Sequence, residues 1–248
     1  ELCVAVVEGM TPLGRRYHGL CSHYLSQLQV NESIVRLWIR PGSFVGLPLK
    51  KKEHVGNGSP YQWFANPLLC IGAGTGIAPL RALVLEREAT RQLANAKLSI
   101  NNTTNMTDDD NDTMMIDSAG DDLPVDQCDN ILVFGCRKQD VDYYYEKEWN
   151  ELKEAGRLYI LPAFSRADPM RKVYVQQKIK ERAETIMKYI LENDGAIYIA
   201  GNPSMARYSK EELVEGTARL LGEGGEKKAN ILFKKLQARG RFSVEAWS

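Results

Sequence analysis

From Pro67 to the end, short apolar runs alternate with longer amphipathic stretches, and no other feature of this chain restricts its fold as strongly. Runs at 68–72 (LLCIG), 131–135 (ILVFG), 158–161 (LYIL), 196–200 (AIYIA) and 242–246 (FSVEA) read as five strands. Between them, 78–95, 142–155, 174–193, 204–221 and 227–239 read as helices, three of them closed by Gly156, Gly195 and Gly240. Ser209-x-x-Glu212 has the spacing of a capping box and predicts a helix restart within the fourth of these. Parallel strands need crossover helices, so this alternation predicts an α/β domain: a five-stranded parallel sheet with helices on both faces.

Residues 1–65 read differently. Short strands at 3–8 (CVAVVE) and 34–40 (IVRLWIR), turn residues and a short helix near 22–28 fit the closing part of an antiparallel barrel. The start, ELCVAVVEG, reads as a strand entered in mid-domain, so a longer protein is expected. Residues 50–60 read as a polar connection. The expected boundary lies at 65/66, with 66–248 forming the α/β domain.

Formal charge cancels over the 248 residues, with 32 basic and 32 acidic side chains, but it is unevenly placed. Between Lys97 and Arg137 there are nine Asp and no Lys, Arg or Glu, so the rest of the chain carries a matching positive excess. Residues 100–129, poor in large apolar side chains, read as a disordered acidic insertion. It leads into the second strand of the sheet and so belongs at the N-terminal edge, away from the C-terminal edge where such sheets bind ligands. A basic body of this kind suits an anionic small molecule; it does not call for nucleic acid. Cys3, Cys21, Cys70, Cys128 and Cys136 form no C-x-x-C and no metal spacing with the three His. They read as reduced thiols of a cytoplasmic protein, and no apolar run has a membrane helix's length.

The strand ends carry the chemistry. Gly74-Thr75-Gly76 follows the first strand, Cys136-Arg137 the second, Ser165-Arg166 the third and Gly201-Asn202 the fourth. In a parallel sheet all of these reach one edge. The glycines let backbone N–H groups approach a diphosphate, the helix start beyond them adds a positive dipole end, and Pro79 suits its first turn. Thr75 adds a hydroxyl. Ser165, Arg166 and Lys172 suit the extra 2′-phosphate of NADP, and Tyr174 suits its adenine. Two charge-assisted contacts at about 1.5–3 kcal/mol each favour NADP over NAD by about 10²–10⁴-fold. On the last strand, Phe242, Val244 and Ala246 are expected to face the core, with Ser243, Glu245 and Trp247 opposite.

In order and spacing, G-x-G-T-G-x-A-P-x-R-A, F-G-C-R followed by D-x-x-Y, S-R…K-V-Y-V-Q and the C-terminal aromatic resemble the ferredoxin–NADP reductase superfamily, in its diflavin branch. HGLCSHYL (18–25), LWIRPGSF (37–44) and RFSVEAWS resemble the branch that feeds cytosolic iron–sulfur assembly. The resemblance implies that Gly19, Leu20, Cys21 and Ser22 bind the FAD pyrophosphate and that Trp247 stacks on the flavin ring. It assigns Gly74, Thr75, Gly76, Cys136, Arg137, Ser165, Arg166, Lys172, Val173, Tyr174, Val175, Gln176 and Asn202 to NADPH. Glu245 matches an Asp that aids hydride transfer in cytochrome P450 reductase. The implied activity runs from NADPH to FAD, then through FMN on a module that this chain lacks. The implied acceptor is an anamorsin-type iron–sulfur protein. Competing readings are a P450-reductase-like or sulfite-reductase-like enzyme, or an NADP(H)-binding fragment without turnover. The chain departs from the family at Ala200-Gly201-Asn202, which stands where P450 reductase has Cys-Gly-Asp, and at Tyr208, which stands where an Asp is expected. The family's R-x-Y-S flavin motif falls upstream of Glu1.

Overall fold

The computed structural model describes residues 2–39, 42, 44, 66–102 and 128–247, with backbone only for 94–102. The chain divides into two compact units, Glu1–Ser43 and Phe44–Ser248.

In the first unit, β1 (Glu8–Met10) pairs antiparallel with β2 (Arg16–His18), in register from Glu8 opposite His18 to Met10 opposite Arg16. The turn is closed by Thr11, whose N–H donates to Arg15 O at 2.8 Å and whose Oγ1 accepts from Arg15 N at 3.0 Å. Helix α1 (Leu20–Ser26) follows. The expected antiparallel pairing is present, but on other residues. Residues 3–7 and 34–39 form no strand, whereas Gly14, at φ 76°, allows the reversal that joins β1 to β2. The connection at 50–60 lies outside the described residues.

The second unit holds β3 (Leu68–Ala73), α2 (Ile77–Asn102), β4 (Asn130–Cys136), α3 (Gln139–Asp142), α4 (Glu146–Glu154) and β5 (Leu158–Phe164). These are followed by α5 (Val175–Glu192), β6 (Ala196–Gly201), α6 (Pro203–Leu221), α7 (Gly225–Ala238) and β7 (Phe242–Ala246). All five strands are parallel, in the order β5-β4-β3-β6-β7. The chain winds outward from β3 to β5, crosses back to β6 and ends on β7. This reversal opens a crevice between the ends of β3 and β6.

Strict alternation of side chains divides the core into two layers. Leu69, Ile71, Ile131, Val133, Ile197 and Ile199 pack against α5, α6 and α7 through Ile179, Ile186, Leu213 and Phe233. Leu68, Cys70, Leu132, Phe134 and Tyr198 pack against α2 and α4 through Ile77, Leu80, Val84 and Trp149. The buried indole of Trp149 donates to Tyr144 O at 2.8 Å.

Three expectations are corrected. The helix expected over 142–155 begins only at Glu146, after Tyr145 at φ 64°, and Asp142 instead ends the short α3. No restart occurs at Ser209, which is buried within a continuous α6, its hydroxyl 3.5 Å from the Met205 sulfur. On β7 only Phe242 is buried; Val244 and Ala246 are exposed on this edge strand, which has a neighbour on one side alone.

Of the insertion expected at 100–129, residues 100–102 instead continue α2, and 103–127 lie outside the described residues. Asp129, just before β4, joins a partly buried ion-pair cluster with α2 and the start of β5. Glu88 pairs with Arg157 and lies 3.9 Å from Arg91, while Arg91 pairs with Asp129. Arg87, 1% exposed, donates to Asp129 O at 3.2 Å.

All five cysteines are thiols outside any disulfide, and Cys70, Cys128 and Cys136 are buried. Burial pushes the Cys70 and Cys136 thiols up to about 12, with Asp142 adding to the effect at Cys136. The thiolate is the reacting form, so these positions should be inert. Brief iodoacetamide treatment at pH 8 should label Cys21 and leave Cys70, Cys128 and Cys136 unmodified until urea is added. Peptide mass spectrometry reads the result, and native labelling at Cys70 would contradict this packing.

Candidate functional site

The C-terminal strand ends form a row, and the strand order sets its sequence in space. Ser165-Arg166 comes first, at β5. Cys136-Arg137 (β4), Gly74-Thr75-Gly76 (β3) and Gly201-Asn202 (β6) follow, and Glu245 to Trp247 (β7) close the row. Four strand spacings separate its ends, about 19 Å, which is the scale of an extended dinucleotide.

Gly74–Gly76 forms one 3₁₀ turn that runs directly into α2. Gly74 adopts φ 56°, where a Cβ would be strained. Gly76 has a packing reason to be glycine. It is buried against β6, and a Cβ there would lie 2.1 Å from Ala200 O and 2.7 Å from Ala200 C. Its bare Cα seats the start of α2 over the crevice, leaving Gly74 and Thr75 half-buried at the mouth. The first N–H groups of this helical run have no helical carbonyl to meet and carry the positive dipole end.

Backbone pairing continues past the strands. Ser165 N donates to Cys136 O and Arg166 N to Arg137 O, both at 2.9 Å, so the turns after β4 and β5 are tied together. Ser165 Oγ also donates to Cys136 O, at 3.2 Å. Trp247 N donates to Gly201 O at 3.0 Å, which carries the β6–β7 pairing one step further.

Not every expected residue presents its side chain here. Cys136 belongs to the α2-side core, Val175 is 2% exposed, and Val173 packs on the other core layer. The side chains of Cys136 and Val175 serve packing. Arg137, Arg166 and Lys172 are exposed, Tyr174 is 42% exposed at the start of α5, and Gln176 is half-buried. Tyr174 N donates to Gln177 Oε1, fixing the helix start. Asn202 caps α6: its Oδ1 accepts from Ser204 N at 2.9 Å, with Pro203 at the first helical position. Glu245 is half-buried and in register with Ala200, hence on the α2 side of the sheet; Trp247 is 40% exposed.

In the first unit, Gly19 N donates to Val7 O at 2.7 Å, and Ser22 Oγ accepts from Val7 N at 3.0 Å while donating to Gly19 O. Leu20 and Cys21 are exposed on the first turn of α1.

Two features escaped the sequence reading. Asp142, 6% exposed, accepts from Arg137 N (2.8 Å), Lys138 N (2.9 Å) and Arg137 Nε (3.1 Å). Burial raises its affinity for a proton, but the bonds from Lys138 N–H and from the Arg137 guanidinium and N–H outweigh this and hold the carboxyl below its usual range. Its stabilisation is therefore complete above about pH 4 and is lost as the pH falls through the lower folded value. The other is a brace of Arg81 on Glu148 (2.7 and 2.8 Å), with the guanidinium 4.3 Å from the Tyr145 ring centroid, which joins α2 to α4. Asp142 and Tyr145 sit in the D-x-x-Y motif, but its spacing announces no such bond, and Arg81 and Glu148 are 67 residues apart.

A doubly wound parallel sheet with a glycine turn at its switch point and basic side chains along one edge defines a dinucleotide-binding α/β domain. Residues 70–211, more than half of the chain, match the oxidoreductase NAD-binding domain family, and the chain belongs to that family. Along its whole length it is 31% identical to the NADPH-dependent diflavin oxidoreductase 1 of Mus musculus, covering 34% of that protein. It is 28% identical to the one of Danio rerio, covering 34%, and 31% identical to the NADPH–cytochrome P450 reductase of Drosophila melanogaster, covering 30%. The chain thus spans about a third of the length of the curated relatives it matches. It is an NAD(P)-binding oxidoreductase domain of the kind found in flavoprotein reductases.

Replacing Gly76 by Ala should destabilise the domain by roughly 1–3 kcal/mol, because a backbone carbonyl rather than a flexible side chain stands in the way. Urea denaturation at 25 °C measures the loss; an unchanged midpoint would show that the crevice can open.

Proposed function

We propose that this chain binds NADPH along the C-terminal edge of its sheet and presents the nicotinamide for hydride transfer to FAD in the complete protein. The observation that carries this is the strand order. It supports a 2′-phosphate at Ser165, Arg166 and Lys172 beside β5, with adenine on Tyr174. The diphosphate would be held by Arg137 and the Gly74–Thr75 turn, and the nicotinamide by Gly201, Asn202, Glu245 and Trp247 beside β6 and β7. The bare turn at Gly74, the helix start behind it and the exposed cations fit a phosphorylated anion. When both cofactors are bound, the nicotinamide supplies a hydride and the flavin receives it.

The chain's own residues position and exclude. Trp247, pinned to Gly201 through its backbone, covers the nicotinamide end and must swing aside for the ring to enter. Glu245 places a carboxylate on the α2 side of that end, where positive charge develops as hydride leaves. Gly19, Leu20, Cys21 and Ser22 are assigned to the FAD pyrophosphate, with Gly19 N–H held by Val7 O and the N–H groups of the first α1 turn facing the anion.

On the resemblance of HGLCSHYL, LWIRPGSF and RFSVEAWS, we further propose onward transfer through FMN to an anamorsin-type iron–sulfur protein, in a cytoplasmic protein. A second reading, transfer to a cytochrome P450, has support of its own in the equal identity to the Drosophila melanogaster reductase.

Titration with NADPH and NADH, following flavin absorbance and ferricyanide reduction, tests the core of this reading. NADPH should bind about 10²–10⁴-fold more tightly; equal affinity would refute the edge assignment. Supplying purified iron–sulfur protein or P450 as acceptor separates the two branches. Glu245→Ala should slow flavin reduction on the order of 10²-fold in stopped-flow traces, with NADPH affinity nearly unchanged. Parallel loss of both would deny Glu245 that role.

A further inference from the structure

Asp142 stands apart from the other acids of the unit. It is almost fully buried within the turn after β4, and both its oxygens are spent on that turn. Oδ1 accepts the N–H groups of Arg137 and Lys138, at 2.8 and 2.9 Å, and Oδ2 accepts Arg137 Nε at 3.1 Å. One carboxylate thus holds both the backbone and the side chain of the same arginine. Arg137 remains 57% exposed along its side chain, so the acid does not bury it; it aims it. With Nε engaged, the two Nη groups are the part of the guanidinium left facing outward. Arg166 N, bonded to Arg137 O, fixes the other side of the turn.

The place of this turn in the row gives the aim its meaning. Arg137 lies at the end of β4, between the glycine turn of β3 and the Ser165-Arg166 turn of β5. An arginine at that point spans the interval between a 2′-phosphate and the dipole end of α2. That interval is where a dinucleotide carries its diphosphate. A free arginine side chain would have to be ordered on binding, at a cost in rotamer entropy; one already held by Nε would not.

We infer that Asp142 is a positioning residue for nucleotide binding: it pre-orients Arg137 toward the diphosphate and does not itself touch the ligand. The inference rests on the NADPH reading above and adds to it a residue with no ligand contact.

The test is a double-mutant cycle in the full chain, using Asp142→Asn, Arg137→Ala and the pair. Calorimetry with NADP⁺ is compared with adenosine 2′-monophosphate, which lacks the diphosphate. Arg137→Ala should weaken NADP⁺ binding by about 10–100-fold. Asp142→Asn should weaken it by about tenfold, within the range of coupling between contacting residues. The double variant should bind no worse than Arg137→Ala alone, and adenosine 2′-monophosphate should change by less than about twofold throughout. A purely structural role for Asp142 predicts the opposite: its effect would multiply with that of Arg137→Ala and extend to both ligands. Either result overturns the inference. Should Asp142→Asn fail to fold, Arg137→Lys serves instead. It keeps the charge and both backbone bonds to Asp142 but has no Nε, so about tenfold weaker NADP⁺ binding is expected, and unchanged affinity would sink the idea. Failure of the unaltered chain to bind NADP⁺ would overturn the NADPH reading and this inference together.

Discussion

Everything at the functional edge depends on one backbone-to-backbone contact, that of Gly76 with the Ala200 carbonyl. Because no Cβ stands between them, the first turn of α2 can sit down into the crevice where the chain reverses direction. From that seat α2 buries Ile77, Leu80, Leu83 and Val84 against the sheet and directs its positive end along the row of strand termini. A side chain at this position would lift the helix. The core layer beneath would then lose its cover, and the glycine turn would move out of line with its neighbours.

The two edges of the sheet use charge in opposite ways. At the N-terminal edge Glu88, Arg91, Asp129 and Arg157 pair with one another in a partly buried cluster, and Arg87 donates to Asp129 O. Such charges are tolerated in the interior only because they are paired. At the C-terminal edge Arg137, Arg166 and Lys172 stay exposed, and the one buried acid among them holds Arg137 by Nε without covering it. Pairing there is partial, as suits groups that must exchange water for an anionic ligand.

Local patterning carried much of the fold. Strands β3, β4, β6 and β7 were legible to within a residue at each end, since a buried parallel strand is a short apolar run bounded by turn residues. Strand β5, expected to end at Leu161, runs on through Pro162. As an edge strand, β5 tolerates the missing donor and continues to Phe164. The break at Tyr145 was not legible, because a left-handed tyrosine is held by its surroundings, including Arg81 and Trp149, and not by local preference. The N-terminal strands were misplaced for a related reason: β-branched runs record what favours a strand, not which segments find a partner.

By itself the sequence determined the class of fold and which residues stand where strands give way to helices. It also determined, through a glycine turn and a serine–arginine–lysine set, the chemistry those positions can offer. Strand order, and so the arrangement of these groups, was decided only by the tertiary structure. Pairing between strands is non-local, and nothing in residues 242–246 states that they will lie beside 196–201. Once β7 takes that place, Glu245 and Trp247 come to the end of the row opposite Ser165 and Arg166. Distance along the sheet, rather than distance along the chain, then sets which part of a dinucleotide each group can reach.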